Sequence, residues 1–475
     1  MVDQNQTVGQ PPNTRRSHRT QPRMQRIVAL VALCALLLSA CGTPANPTTG
    51  TDNTGGAASA SPAASAAASP AVSAAASPAA SEAASPAAGE SAAASPAASA
   101  SAAATTAATG STTGVTDSEI VIGSWGPQDG PAGAYGVINR TMDGYFKKLN
   151  DEGGINGRKI RFVYENDSYQ PAKTVAAVKK LVEEDQVFAL VGGLGTPHNL
   201  AVMEYLVQNN VPHIAPATGS TLMSQPLKPN VFALQTNYNI EATLLTRYAL
   251  DNLKGQKFAV FYQNDAFGKE GLDSVNAELK ARGLEEAVGV SYEAADTNFS
   301  AQALKLQTSG ADSVVIWAVP KPAGSIISEM DKIGYKPQLL ATAVINDPAL
   351  FQLAGPGIQG LVLGSWLPDF NDMSNPKIAA YHEFMQKYLP NEPVGGFSLA
   401  GVAYSEVLVE GLRRAGQDLT RESLIEALNG MQNFTDGLVP SVSYGPDDHQ
   451  GAAAIYFMQA KGDKFEKLSD FEELK

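Results

Sequence analysis

Short apolar runs alternate with longer amphipathic stretches along residues 115–475. The runs are rich in β-branched residues and have the length of strands, whereas the stretches carry apolar residues at helical spacing. The runs that predict strands are 119–122, 187–191, 257–261, 313–317 and 360–363. The stretches that predict helices are 135–150, 172–184, 199–209, 240–253, 268–282, 324–333 and 376–388. This alternation predicts a doubly wound α/β fold.

The 361 residues from 115 onward exceed what one hydrophobic core usually holds, so two lobes are expected. In open α/β sheets, ligands lie beyond the carboxyl ends of the strands. The loops that follow the predicted strands are therefore the expected positions of binding residues.

The start of the chain has the order of a bacterial lipoprotein signal. Arginines at positions 15, 16, 19, 23 and 26 precede an apolar run from Ile27, and small residues lead up to Cys41. The run is shorter than the roughly 20 residues that span a bilayer, and a cysteine at the cleavage position indicates lipid attachment. Residues 1–40 are predicted to be removed. The chain is then expected to be exported and anchored by Cys41 to the outer face of the cell membrane.

Residues 41–114 are interpreted as the lipidated cysteine followed by a disordered tether. From Gly42 nearly every residue is Ala, Ser, Thr, Pro or Gly, and Ser-Pro pairs recur at positions 61, 69, 77, 85 and 95. The repeat holds no large apolar residue that stacking would bury, which excludes a solenoid. A flexible chain of this length spans roughly 50 Å, so the folded domain can stand away from the membrane.

Composition excludes two further kinds of chemistry. The two cysteines are Cys34 in the leader and Cys41 at the lipid site, so no thiol remains for a disulfide, a zinc cluster or a nucleophile. Removal of residues 1–40 takes away five arginines and Asp3, which changes the formal net charge from −13 to −17. Such a chain lacks the clustered Lys and Arg that nucleic acid binding requires.

Two loops after predicted strands are suited to hold an anion. The strand 187–191 is followed by glycine-rich residues 192–195 and by Thr196-Pro197, a helix cap with a first-turn proline. Free N–H groups at such a helix start bind anions, and the loop 213–220 adds small and hydroxyl residues. The first loop alone fits an ordinary capped helix, but the two together can grip one carboxylate. A dinucleotide site is excluded because Pro197 and His198 stand where a third glycine is required.

The order of several short motifs resembles the branched-chain amino acid binding protein family, the type I periplasmic binding proteins of ABC importers. Residues 126–136, GPQDGPAGAYG, match the family pattern GPxSGPxAxYG, and residues 150–159 match NxxGGINGRK. Further matches in chain order are residues 167–171, 191–192, 214–216, 264–268 and 296–300. The likeness extends over nearly all of the chain after residue 115.

The resemblance implies two Rossmann-like lobes with parallel sheets, joined by three hinge crossings near Asn237, Gly364 and Pro440. The first lobe then comprises approximately residues 115–237 and 365–440. The second comprises approximately residues 238–364 and 441–475. The implied function is to capture a small carboxylate-bearing ligand by hinge closure and to deliver it to an ABC permease. A branched-chain or other hydrophobic amino acid, or a related acid or amide, is the expected ligand.

The resemblance also places the carboxylate site. In the family, a hydroxyl residue after the third strand and a small-residue loop after the fourth hold the ligand carboxylate, which corresponds to Thr196, Ala217 and Gly219. Family members usually have threonine or serine at the position of Gly219. Thr218, Ser220 or backbone N–H groups alone are therefore expected to take its role.

The aromatic wall of the family corresponds to Tyr135 on one lobe and Phe267 on the other. Both are expected on loops beside predicted helices, where binding residues concentrate, although core packing would explain them equally well. Further residues expected to shape the cleft are Trp317, Pro320, Asn346 and Trp366.

One position departs from the family. Amino acid binders carry an acid in the second lobe that faces the ligand ammonium, and alignment puts Ala343 there. A buried ammonium without a counter-charge is costly to desolvate. Either Asp265, Asp129 or Asp347 replaces that acid, or the ligand has no amino group. For Asp347, which precedes a proline, we favour a helix cap. Aromatic acids, keto acids and small amides are therefore candidate ligands alongside leucine-like amino acids.

An enzyme is the less favoured alternative. The chain has no nucleophile elbow, HExxH pair or P-loop, and its four histidines after the leader, at positions 198, 213, 382 and 449, are scattered. His198 lies beside Thr196, within reach of the expected cleft, but a histidine in a first helical turn is more often a surface residue, and that is the expectation. No cofactor or metal is expected. A ligand-sensing adaptor with the same fold is a further alternative, and the lack of a signalling segment after the α/β domain favours delivery to a permease.

Replacement of Cys41 by serine tests the lipid anchor. Serine cannot form the thioether that carries the lipid, so Cys41→Ser is expected to move the chain from the membrane to the soluble fraction or the medium in cell fractionation. Cys34→Ser is the matched control, because it changes the cysteine within the predicted leader and should leave the chain on the membrane. Membrane attachment of the Cys41→Ser chain would contradict lipidation.

Overall fold

Two sheets organise residues 110–474, the part of the chain that the computed structural model describes. The leader, Cys41 and the tether up to residue 109 lie outside the described residues. The first sheet is entirely parallel, in the order β2-β1-β3-β4-β5. Its strands are β1 (Glu119–Trp125), β2 (Lys159–Glu165), β3 (Ala189–Val191), β4 (His213–Ile214) and β5 (Val231–Phe232).

The second sheet has the order β12-β11-β10-β9-β8-β6-β7, with β13 paired to β11. Its strands are β6 (Phe258–Gln263), β7 (Val288–Tyr292), β8 (Ser313–Trp317), β9 (Gln338–Ala341), β10 (Val362–Ser365), β11 (Ala454–Lys461), β12 (Lys464–Lys467) and β13 (Glu472–Glu473). The strands from β6 to β10 are parallel, and β11 joins β10 in antiparallel pairing. The predicted α/β class with two lobes is confirmed.

Helices cover both sheets. They are α1 (Gly136–Asp151), α2 (Pro171–Lys179), α3 (Thr196–Gln208), α4 (Tyr238–Asp251), α5 (Ala266–Ala281), α6 (Ser300–Ser309), α7 (Pro320–Lys332), α8 (Ala349–Ala354), α9 (Pro376–Tyr388), α10 (Gly396–Ala415) and α11 (Arg421–Asn429). Helices α1–α3 and α9–α11 pack together around the first sheet, and α4–α8 pack around the second. No helix between residues 110 and 474 is both long and apolar enough to cross a membrane.

Local chemistry explains where the elements lie. All five residues of β8 are buried, as expected of a central parallel strand covered on both faces. Side chains cap several helices: Asn237 accepts from the Ile240 N–H at 3.0 Å at the start of α4, and Asp265 accepts from the Gly268 N–H at 3.2 Å at the start of α5. These caps place the first turns of both helices at the strand ends.

Most predicted elements are found within a few residues of their expected bounds, and β8 and α9 match residue for residue. Helix α7 begins earlier than predicted, at Pro320, because a proline in the first turn lacks only an N–H that has no partner there. Helix α10, the longest of the described helices, is absent from the predicted elements.

The chain passes between the sheets three times. The first two passages follow β5 and β10, close to Asn237 and Gly364. The third comes later than Pro440, because the segment after it still pairs with the first lobe: the Gly451 N–H donates to Ala233 O at 2.9 Å. Strand β11 then begins in the second sheet, so residues 441–452 lie with the first lobe rather than the second.

Candidate functional site

A cleft with about 720 Å³ of open volume lies between the carboxyl ends of the strands of the two sheets, the place where α/β folds bind small molecules. Its first-lobe lining comprises Tyr135, Ile138, Tyr169, Leu194, Gly195, Thr196, Ala217, Gln235, Gly396, Phe397, Leu399, Ala400 and Tyr404. The second-lobe and hinge residues that complete the lining are Tyr238, Phe267, Val319, Ala343, Val344, Asn346, Ser365, Trp366, Leu367, Pro368 and Phe370. The lining is therefore mostly apolar and aromatic.

Five of the eight predicted ligand-binding residues line this cleft: Tyr135, Thr196, Ala217, Phe267 and Asn346. The other three, Thr218, Gly219 and Asp265, are absent from the lining. Among the further residues expected to shape the cleft, Trp366 lines it, whereas Trp317 and Pro320 do not.

The two loops predicted to hold an anion meet in the first lobe. Thr196 Oγ1 and Thr218 Oγ1 are 2.7 Å apart and share a hydrogen bond. The Ala217 N–H, one of the amides expected to face a carboxylate, instead donates to Gly193 O at 3.0 Å, and the Gly195 N–H donates to Ala217 O at 3.2 Å. These bonds join the two loops to each other. Thr196, at the start of α3, is the residue of these loops that brings a side-chain hydroxyl to the lining of the cleft.

The structure explains why glycine stands at position 219. A Cβ there would lie 2.7 Å from both Thr236 O and the ring of Tyr238, so the threonine or serine usual in the family does not fit. Tyr238, the first residue of α4, fills that space and lines the cleft. Its hydroxyl is 3.5 Å from Thr218 Oγ1, which links the aromatic wall to the anion loops.

Tyr135 and Phe267 contribute aromatic faces from opposite lobes. Tyr135 packs on Phe397 with ring centroids 4.7 Å apart, and its hydroxyl donates to Val344 O of the other lobe at 2.8 Å. Phe267 is not on a loop as expected but in the first turn of α5, where it contacts Tyr238 at 5.3 Å. The indole of Trp317 packs against the rings of Tyr238 and Phe267 from the core side, with centroids 5.5 and 6.1 Å away.

Neither Asp265 nor Asp129 faces the cleft as a replacement for the missing acid. Asp265 caps α5 and accepts a further hydrogen bond from the side chain of Gln263. Asp129 is exposed and accepts from Asn166 Nδ2 at 2.8 Å. Both carboxylates therefore have structural partners away from the ligand space.

Asp347 lies one residue before Pro348, the capping position of α8, and its carboxylate contacts both the start of that helix and the other lobe. It accepts from the Ala349 N–H at 3.0 Å, and its second oxygen accepts from the Phe397 N–H of α10 at 3.3 Å. Burial raises the pKa of this carboxyl to about 6. Two glycines permit the approach: a Cβ at Gly395 would lie 2.5 Å from the carboxylate, and one at Gly396 would overlap Asn346 O.

Glu241 on α4 is an acid in direct contact with Ala343, the residue that stands where the family has its ammonium-binding acid. Its carboxylate is 2% exposed, accepts from the Ala343 N–H, and accepts from Thr342 Oγ1 at 3.2 Å. Burial raises its pKa to about 7, although both hydrogen bonds act in the opposite direction. Glu241 thus stabilises the loop after β9 from behind and is absent from the lining of the cleft.

His198 is buried, which corrects the expectation of a surface residue. It is 1% exposed and packs on the ring of Tyr169 with centroids 4.4 Å apart. Burial lowers its pKa below the ordinary value. Gly195 makes room for it, because a Cβ at that position would clash with the imidazole ring. His198 therefore supports the cleft wall from behind.

Further hydrogen bonds join the lobes at the edge of the cleft. The Gln263 amide donates to the Tyr169 hydroxyl at 3.3 Å, and the Thr221 N–H and hydroxyl donate to Glu270 Oε1 at 2.8 and 2.6 Å. Together with the contacts of Tyr135 and Asp347, they hold the lobes against each other. The structure is thus a closed form.

The sequence did not single out several lining residues: Tyr169, Gln235, Tyr238, Phe397 and Tyr404. Tyr169 has a left-handed backbone, φ 58°, and its N–H donates to Asp167 at 2.9 Å. The matched segment 167–171 is the signal that could have identified it. Tyr238 directly follows the capping residue Asn237 at the first passage, but Phe397 and Tyr404 lie on α10, for which no helix was predicted.

Comparison with known proteins identifies the class. Residues 119–465 match the sequence profile of the periplasmic binding protein family. The Leu/Ile/Val-binding protein homolog 3 of Brucella melitensis is 26% identical over 314 residues, which are 66% of this chain and 83% of the relative. The chain belongs to the periplasmic binding protein family, as a type I member of the branched-chain amino acid group, which confirms the resemblance.

Solved structures agree on the fold. A branched chain amino acid ABC transporter protein from Thermus thermophilus with bound valine superposes with a TM-score of 0.68 at 21% identity, covering 76% of this chain and 98% of its own. A fatty acid ABC transporter substrate-binding protein from Thermomonospora curvata has a TM-score of 0.69 at 21% identity, covering 77% and 95%. The family and fold are those of extracytoplasmic substrate-binding proteins rather than of enzymes.

Glu241→Gln is expected to change how stability depends on pH. A carboxyl whose pKa is about 7 in the folded chain and about 4.5 in the unfolded chain binds its proton more tightly when folded. Wild-type stability therefore falls as pH rises from about 4.5 to about 7. The variant lacks this loss, so its free energy of unfolding relative to that of wild type should be about 3 kcal/mol higher at pH 8 than at pH 4.

Denaturant unfolding at a series of pH values measures this difference. The matched control is Glu410→Gln, because Glu410 pairs with Arg414 on the surface of α10, and its effect should stay within about 0.5 kcal/mol at every pH. If the difference in unfolding free energy between Glu241→Gln and wild type does not change with pH, the pKa of the Glu241 carboxyl is not raised in the folded chain.

Proposed function

We propose that this protein is an exported, lipid-anchored receptor of an ABC importer whose ligand is a small apolar carboxylate or amide without an ammonium group. In this proposal residues 1–40 are removed, Cys41 carries the lipid and residues 42–114 form the tether. The folded lobes close on the ligand and present it to a membrane permease, and the protein performs no chemistry on it.

The lining of the cleft is the observation that carries the choice of ligand. None of the described residues that line it is Asp, Glu, His, Lys or Arg. A ligand ammonium enclosed there would lose its water without gaining a counter-charge, which costs several kcal/mol. The nearby carboxylates of Glu241 and Asp347 already accept hydrogen bonds from backbone N–H groups.

A carboxylate or amide head is compatible with the same lining. Thr196 offers a hydroxyl at the start of α3, where the positive end of the helix dipole favours an anion. The side-chain amides of Gln235 and Asn346 add hydrogen-bonding groups without charge. The apolar body of the ligand then packs on side chains such as Phe267 and Phe397, which supply most of the binding energy through burial.

The related structures support both kinds of ligand for this fold. One neighbour holds valine and another is named for fatty acids, so the two lobes serve ligands with and without an ammonium group. The uncharged lining of this chain favours the second kind. Hydrophobic amino acids are the competing class, and the experiment below separates them.

Hinge closure provides the delivery signal. The bonds Tyr135–Val344, Tyr169–Gln263 and Thr221–Glu270 each join one lobe to the other. A ligand that contacts both lobes shifts the population toward this closed form, in proportion to the extra affinity it has for it. The permease then recognises the closed pair of lobes.

Leucine and its deaminated analogue give a matched test of the ligand class. Isocaproate and isocaproamide keep the carbon skeleton of leucine but lack the amino group. At a concentration of about 100 times Kd, either should stabilise the full chain by about 2.7 kcal/mol and raise its Tm by about 3 °C, whereas leucine should have no effect. A larger shift with leucine would contradict an ammonium-free ligand. Loss of uptake of the bound compound in cells without this protein would link binding to transport.

Thr196→Ala is expected to weaken binding of isocaproate about tenfold, because it removes one hydrogen bond to the ligand head. Titration calorimetry measures the affinity, and circular dichroism checks that the fold is intact. Thr196→Ser keeps the hydroxyl and should restore most of the affinity. Thr308→Ala, on the exposed face of α6, is the matched control. Unchanged affinity in Thr196→Ala would show that the ligand head lies elsewhere.

A further inference from the structure

A second open space lies on the hinge side of the molecule. This hinge groove has about 1940 Å³ of open volume and is lined by α4, by residues 439–441 and 452–454, and by β11 and the C-terminal strand β13. It therefore lies beside two of the three passages between the lobes.

Trp366 separates the two spaces. It directly follows β10, where the chain passes back to the first lobe, and it is the one described residue that lines both the cleft and the hinge groove. The side chain is 5% exposed and stacks on Tyr404 with ring centroids 5.9 Å apart and planes 18° apart. A large, flat indole held between an aromatic ring and the hinge is suited to act as a wall.

The hinge groove behind this wall has a mixed lining, part of which is apolar. Leu244, Val439 and Phe457 line it, and the ring of Tyr248 packs on Phe457 at 4.5 Å. Charged side chains such as Arg247 and Glu472 are part of its lining as well. An aliphatic chain that passed the position of Trp366 would thus find apolar surface to cover.

We infer that Trp366 sets the maximum length of the ligand, because its indole closes the cleft against the hinge groove. This inference rests on the proposed apolar carboxylate or amide ligand and names the residue that limits its size. Each methylene that enters an apolar site adds roughly fourfold to affinity. Affinity for a straight-chain series should therefore rise with length in wild type until the chain reaches the indole, and then stop rising.

The experiment is calorimetric titration of the full chain with straight-chain carboxylates from butanoate to dodecanoate and with the matching primary amides. In Trp366→Ala the affinity should continue to rise beyond the wild-type limit, because the tail enters the hinge groove. Trp366→Leu also removes the indole and keeps more of the packing, so it provides the same test if the alanine variant does not fold. Trp366→Phe should keep a limit close to that of wild type.

Phe370→Ala is the matched control, since Phe370 lines the cleft but not the hinge groove. It should extend the limit only by the volume of the lost ring, after which affinity stops rising again. A wild-type limit that stays in place in folded Trp366→Leu and Trp366→Ala would overturn the role of Trp366 and leave the ligand class standing. Failure of wild type to bind any acid or amide of the series would overturn the ligand class itself, and the length limit with it.

Discussion

Desolvation is the constraint on which the cleft depends. A charge enclosed between two lobes is stable only with a partner, and the acids around this cleft accept hydrogen bonds from the protein itself. Glu241 accepts from the loop after β9, Asp347 from the start of α10, and Glu270 from Thr221 across the mouth. Because these carboxylates stabilise loops and lobe contacts, the space between them stays neutral. Under the proposed function, the hydrogen bonds that hold these carboxylates leave the cleft without a counter-charge for a ligand ammonium.

The fold follows from the sequence because its signals are local. Runs such as Ser313–Trp317 are apolar throughout, as a strand covered on both faces must be, and a proline after Asn375 marks the start of α9. Helix α10 carries no comparable start signal, since glycines stand at residues 395 and 396. Those glycines answer a tertiary demand, the close approach of Asn346 and Asp347 from the other lobe, which one sequence does not reveal.

The candidate site was predictable where its residues lie in matched motifs. Tyr135 and Phe267 belong to such motifs, Thr196 follows the matched residues 191–192, and the structure brings all three to one cleft. The partners of the acids were not predictable, because Glu241 reaches Ala343 across 102 positions of sequence. Gly219 illustrates the same limit. Glycine replaces the family's threonine or serine there because the ring of Tyr238 occupies the space, and Tyr238 lies outside the loop that contains Gly219.

Both lobes need segments from the far end of the chain. Strand β11 completes the second sheet beside β10, and residues 449–452 pair with the backbone that follows β5 in the first lobe. Neither lobe can finish folding before residues 449–461 have left the ribosome, and contacts between such distant segments form slowly. A secreted chain has to thread a translocon before it becomes compact. The connectivity of this fold lengthens the interval in which that passage can take place.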